Sequence, residues 1–151
     1  MCIYILSRLI KIINIIKLFM QNYLIIGIGV RKNCILQELL ELIMQLLILI
    51  SINSNEIIFI TTINYKYYES TIKKISKYLN CFIEYCPYNF YYILNYKNYQ
   101  YSNRIYEKFN IYNVSENSAV YTNINLINTF STLLFNIKTN FANITIINLI
   151  I

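Results

Sequence analysis

From position 23 onward the apolar residues follow two alternating rhythms. "YLIIGIG" (23–29) is a short continuous apolar run ending in glycines, the pattern of a buried strand. "CILQELLELIMQLLILI" (34–50) follows, with Gln37, Glu38, Glu41 and Gln45 recurring at helical spacing on one wet face. "EIIFITTI" (56–63) predicts a second strand, and "YYESTIKKISKYL" (67–79) a second amphipathic helix with Lys73, Lys74 and Lys77 outward. "CFIEYC" (81–86) predicts a third strand, which Pro87 stops. Residues 88–112, rich in Tyr and Asn, predict a short helix and a loop, with a further helical segment over 102–109. "VSENSAVYTNI" predicts a helix N-capped by Ser115, with Glu116 in the first turn, where the helix dipole favours an acid. "STLLFNIK" (131–138) and "NITIINLI" (143–150) predict a terminal hairpin across a polar turn.

Strands alternating with helices predict a three-layer α/β/α domain over residues 20–151, with a mostly parallel sheet and a C-terminal antiparallel hairpin. Ligands of such sheets bind beyond the carboxyl ends of the strands. Residues 1–19 stand apart: they contain no acid and place Arg8, Lys11, Asn14 and Lys17 at three-residue intervals. They are expected to lie outside the core, as an upstream extension of the reading frame or an amphipathic tail, with Met20 as a plausible start.

Composition changes the weight given to each residue type. Ile, Asn, Tyr, Lys and Leu crowd the chain while Trp, His and Asp are absent, the mark of a strongly AT-biased coding sequence. Where such a chain carries Gly, Ala, Pro or Arg, the position is expected to need that residue's own physics. Both glycines, Gly27 and Gly29, fall in one strand end, followed at once by Arg31 and Lys32.

The length of 151 residues fits one domain. Mean hydropathy is +0.44, yet charges at Lys11, Lys17, Arg31, Glu38, Glu41 and Glu56 break up the first third, and the longest uncharged interval, 117–137, is filled with Asn, Ser and Thr, so no transmembrane segment is expected. The net charge of +6 favours an anionic partner such as a polycarboxylate, phosphate, nucleic acid or membrane surface, although codon bias inflates Lys as well. Cys2, Cys34, Cys81 and Cys86 form no CxxC pair and have no His to complete a zinc site, so no metal site is expected and free thiols in a reducing cytoplasm are.

Two clusters carry chemistry. "GIGVRK" pairs a glycine-rich strand end with two cations but lacks the third glycine of a dinucleotide fingerprint and Walker-A spacing. "TTINYKYYES" spaces Thr62, Asn64, Lys66 and Glu69 as T-x-N-x-K-x-x-E where a strand meets a helix. Each alone has a plain structural explanation, a tight turn in the first case and a capped helix start in the second.

In order and interval, "GIGVRK", "TTINYKYYE", "NVSENSA", "LLFNIK" and "NITII" resemble the cobalamin-biosynthesis family of CobE and the CbiG C-terminal domain, over roughly residues 23–147. The matching positions are Gly27, Gly29, Arg31, Lys32, Thr62, Lys66, Glu69, Ser115, Glu116, Ala119, Lys138 and Thr145. Val30, Asn33, Asn64 and Asn110 stand where the family's pattern has Cys, Gly, Asp and Gly.

The resemblance implies a cytoplasmic protein of corrin-ring biosynthesis whose ligand is an anionic corrin or precorrin intermediate, with other pathway enzymes as partners and no cofactor of its own. It implies ligand contacts at Gly27, Gly29, Arg31, Lys32, Thr62, Lys66, Glu69, Ser115, Glu116 and Lys138, the glycines supplying a turn whose N–H groups meet an anion. A CbiG-like lactone hydrolase is the alternative, with Glu69 as the catalytic carboxylate. A basic membrane-surface or nucleic-acid-binding protein is a third reading; dispersed Lys and the lack of any RNP-like or helix-turn-helix pattern weigh against nucleic acid.

Overall fold

The computed structural model describes residues 23–90 and 113–150. Strand β1 (Tyr23–Val30) leads into helix α1 (Leu36–Leu49), strand β2 (Ile57–Ile63) into helix α2 (Ser70–Leu79), and strand β3 (Phe82–Cys86) completes the first half. Helix α3 (Val114–Thr122), continued by a π turn over Asn123–Ile127, precedes the hairpin of β4 (Phe130–Lys138) and β5 (Ala142–Ile150). The expected tail over residues 1–19 and the helical segment over 102–109 lie outside the described residues.

The five strands form one sheet in the order β3-β2-β1-β5-β4. β1, β2 and β3 are mutually parallel, and the hairpin joins antiparallel through β5 against β1. Pairing on both sides makes β1 a central strand, which is why it reads as an unbroken apolar run. Leu24, Ile26 and Ile28 pack with Leu39, Ile43, Leu46 and Leu47 of α1 and with Ile72 and Ile75 of α2, one apolar layer. The buried set of α1 recurs at intervals of four, three and one, the stripe expected of a helix lying on a sheet. On the other side Ile25, Ala119, Ile147 and Leu149 form a second core under α3, so the sheet is the middle of three layers.

Among the described residues, four non-glycine positions hold left-handed backbone: Asn33, Ser51, Asn80 and Asn128. Three are Asn, the residue whose short polar side chain best tolerates that region after Gly. Asn80 caps the C-terminus of α2 in this way, and Asn33 turns the chain after β1 at φ 64°, doing without a Cβ-free residue where the family's pattern has Gly.

Candidate functional site at the carboxyl edge of the sheet

Because β1 and β2 are parallel, with Gly27 opposite Thr61, the segments following both strands emerge at one edge. Arg31, Lys32 and Asn33 are exposed in the first of them. The second makes a 3-10 turn over Asn64–Lys66 before α2. Lys66 Nζ lies 3.6 Å from a Glu69 carboxylate oxygen, and both side chains are largely but not fully buried. Thr71 Oγ1 donates to the Cys34 carbonyl at 3.0 Å, fastening the start of α2 to the loop after β1. Burial pushes the Cys34 thiol above its ordinary value, and the fields of Glu38 and Glu69 push it further while Lys66 opposes them, so the two segments are also electrostatic neighbours.

The hairpin reaches the same edge. Lys138 pairs across to Asn143, which pairs in turn with Gly29, so the end of β4 is level with the end of β1. Arg31 N donates to the Phe141 carbonyl at 3.0 Å, tying the first loop to the hairpin turn. Arg31, Lys32, Lys66 and Lys138 therefore share one edge of the sheet. β2 and β4 are three strand spacings apart, roughly 14 Å at the usual inter-strand distance.

The glycines are not a turn. β1 runs through both of them to Val30, neither has positive φ, and Gly27 is paired with Thr61 on one side and Thr145 on the other. A ladder on both sides commits the Gly27 backbone, so it has no N–H aimed at an anion. The need for glycine is instead steric. A Cβ on Gly27 would run into the carbonyl oxygen of Ser115 and stand 3.2 Å from Ala119 Cβ, so α3 crosses the sheet with its backbone in contact with β1. At Gly29 the nearest atom to an added Cβ is Val114 Cβ at 3.4 Å, an ordinary contact.

The helix start is also displaced from expectation. Asn113, not Ser115, is the N-cap: its Oδ1 accepts from the Glu116 N–H at 3.2 Å, while its Nδ2 donates to Glu116 Oε2 at 3.0 Å. Ser115, two positions further in, is fully buried; its hydroxyl donates to Asn113 Oδ1 at 2.9 Å and pairs with Thr145 Oγ1 at 2.9 Å. Thr62 is fully buried as well, donating to the Ile28 carbonyl at 2.7 Å. Both hydroxyls are spent inside the fold, Thr62 holding β2 to β1 and Ser115 holding α3 to β5.

Residues that the motif reading passed over complete a polar cradle at the start of α3. Asn136 Nδ2 approaches Glu116 Oε2 at 3.4 Å, and Asn143 Nδ2 donates to Asn113 Oδ1 at 3.1 Å. Half-burial raises the Glu116 carboxyl above the ordinary range, against the lowering effect of the Asn113 hydrogen bond. The N-x-x-E spacing of Asn113 and Glu116 is the signal that identifies this cap from sequence. Among the described residues no cluster of His, Cys, Asp or Glu is placed to hold a metal.

The profile of a protein family described as cobalamin synthesis G C-terminus matches residues 24–146. The chain belongs to that family. Solved structures share its fold. CobE, a protein from the cobalamin (vitamin B12) biosynthetic pathway, superposes with a TM-score of 0.77 at 19% identity, over 85% of this chain and 91% of that one. A cobalamin biosynthesis protein G homolog from Sulfolobus solfataricus gives 0.60 at 21% identity over 85% of this chain and 37% of its own, so the shared domain is a minor part of that longer protein. The cobalamin biosynthesis protein chiG from Agrobacterium tumefaciens str. C58 gives 0.55 at 12% identity, covering 82% of this chain and 96% of that chain. No curated protein sequence matches. Membership in this family makes the chain a cobalamin-biosynthesis protein, and no described helix is long and apolar enough to cross a membrane.

Proposed function

We propose that this domain works in the cytoplasm, binding an anionic corrin or precorrin intermediate at the carboxyl edge of its sheet and assisting a step run by another enzyme of the pathway, in the manner of a CobE-like protein. The observation that carries this reading is the row of Arg31, Lys32, Lys66 and Lys138 along one edge. Corrin intermediates carry acetate and propionate carboxylates around the rim of a broad macrocycle, and cations spread over three strand spacings suit a ligand whose charges are spread rather than clustered. Gly27, Thr62 and Ser115 serve this site by building it: Gly27 and Ser115 set the closeness of α3 and Thr62 the registration of β1 with β2, while Gly29 beside them meets Val114 in an ordinary contact. Glu69 orients Lys66.

The test is an absorbance titration of the purified protein with a panel of corrin intermediates. Lys66→Gln is expected to weaken binding by about one to two orders of magnitude, the equivalent of one charge-assisted hydrogen bond of about 1.5–3 kcal/mol. Binding unchanged in both Lys66→Gln and Arg31→Gln would sink the proposal.

The half-buried Glu116 in its amide cradle favours a second reading, a lactone hydrolase of the cobalt-precorrin-5A type. A carboxyl raised toward neutrality suits proton transfer better than Glu69, which is engaged with Lys66. Acetaldehyde released from a lactone-bearing corrin by the purified chain, and lost in Glu116→Gln or Glu69→Gln, would establish that activity.

A further inference from the structure

The two edges of the sheet are finished differently. At one edge β3 spans five residues, Phe82–Cys86, carries Glu84 at its centre and is followed by Pro87. Shortness, a charge and a proline each discourage another strand from adding there. At the other edge β4 spans nine residues, Phe130–Lys138, and among the described strands pairs with β5 alone. It has no proline, and no charge before Lys138, its last residue. Phe130, Ser131, Thr132, Leu133 and Leu134 are all exposed, and alternate strand residues point to opposite faces, so neither face of this stretch is covered. Phe130 is 84% exposed, and Ile150, opposite it on β5, 53%. The bulge that inserts Leu134 between Leu133 and Phe135 marks where the regular stretch ends. Its start is braced: Asn123 of the π turn donates from Nδ2 to the Thr129 carbonyl at 2.8 Å and to Ser131 Oγ at 3.1 Å. The edge is a strand already held extended, its outer row of backbone N–H and C=O groups unmatched by any described strand.

We propose that this stretch of β4 pairs antiparallel with the same stretch of a second copy of the chain, about a two-fold axis through Thr132, joining two five-stranded sheets into one continuous sheet. An exposed strand edge calls for another strand, and the antiparallel arrangement is the one in which a strand can satisfy an identical strand. The side chains agree with this register. Phe130 stands opposite Leu134 of the second copy, Ser131 opposite Leu133, and Thr132 opposite Thr132, so the large apolar groups meet each other and a Thr–Thr pair sits on the axis. Charge favours the same geometry. Each copy carries +6, and two such copies associate readily only where those charges are kept apart. No charge lies in the paired stretch, and antiparallel union sends the carboxyl edge of one sheet, with Arg31, Lys32, Lys66 and Lys138, to the end opposite that of the other. Pairing over 130–134 covers neither cation row, so the dimer carries two independent edges whatever those cations bind.

Sedimentation equilibrium of the purified full chain at micromolar concentrations is expected to show a dimer. Thr132→Lys sets two like charges opposite each other on the axis and should raise the dimer dissociation constant about tenfold, as should Thr132→Glu. An equimolar mixture of the two variants, Lys facing Glu, should return to the parent value or below it, the mark of a position that faces itself. Phe82→Lys, at an exposed position on the β3 edge, should leave the dimer unchanged. If Thr132→Lys melts well below the parent, Thr132→Cys carries the test: oxidation should link two chains through position 132, a bridge absent from the oxidised parent, because directly opposed residues of an antiparallel pair lie within disulfide reach. A parent that stays monomeric would overturn the proposal. So would a dimer indifferent to both charges at 132, one that the mixture fails to restore, or one that Phe82→Lys breaks instead.

Discussion

The two faces of the sheet share the same strands but are held by different means. Against α1 and α2 the contacts are made by Leu and Ile, and cohesion comes from buried apolar volume. Against α3 the sheet offers Gly27, Thr145 and Thr61, which shares strand parity with Phe59 and Ile63, and the helix answers with Ser115, Ser118, Ala119 and Thr122. Here cohesion comes from closeness. Ser118 and Thr122 return their hydroxyls to the carbonyls of Val114 and Ser118 at 2.7 and 3.1 Å, leaving a smooth helix surface that can lie against a strand without side chains between. An Ile-rich composition builds the first face readily, because aliphatics of similar size exchange at low cost. It cannot build the second, where one added carbon meets backbone, and the chain's two glycines sit on that face.

The largest expected effect follows directly. Gly27→Ala must displace the start of α3 and should cost about 3 kcal/mol in urea unfolding, whereas Gly29→Ala, with only ordinary contacts, should shift stability by less than about 0.5 kcal/mol. Equal stability of the two variants would end the closeness account.

Thr61 sharpens the comparison from the other side. It is fully buried and its hydroxyl has no partner, an uncompensated polar group on the α3 face. Thr61→Val should therefore stabilise the protein by about 1 kcal/mol, read as a rise in melting temperature. A loss instead would mean that the hydroxyl is satisfied by an internal water.

The smallest effect is seen only as a pH dependence. The folded pKa of Glu116 is raised above the ordinary value of 4.5, so the native state holds this proton more tightly than the unfolded chain does. The associated stability is present in full below the unfolded value and is lost as pH rises through the raised folded value. Glu116→Gln should remove that decline and gain on the parent toward neutral pH, with the two converging in acid. Parallel pH–stability curves for parent and variant would contradict this.

Most of the architecture was legible because it depends on period. Every described strand and helix falls within about three residues of its apolar pattern, since burial on both faces leaves strands such as β1 no freedom to vary. The sharing of one edge by "GIGVRK" and "TTINYK" was legible too, given parallel neighbours. What escaped was set by distance in space. Nothing local marks Gly27 as a steric gap, because its clash partner is Ser115, far along the chain. Ser115 and Asn113 both look like caps; Asn113 wins because its third following residue is Glu116, and because Ser115 has Thr145 to meet inside. Thr62, a motif position, reads as a ligand contact until the Ile28 carbonyl is found beside it.

The bond from Thr71 to the Cys34 carbonyl has a kinetic side. Cys34 is 8% exposed with a raised thiol pKa, so in the closed protein it is a poor nucleophile with little access to reagents. Alkylation there must wait for the loop bearing Arg31 and Lys32 to lift from α2, which turns the labelling rate at this one sulfur into a clock for local opening. An anion bridging that loop to Lys66 would slow the clock without entering the space around the thiol.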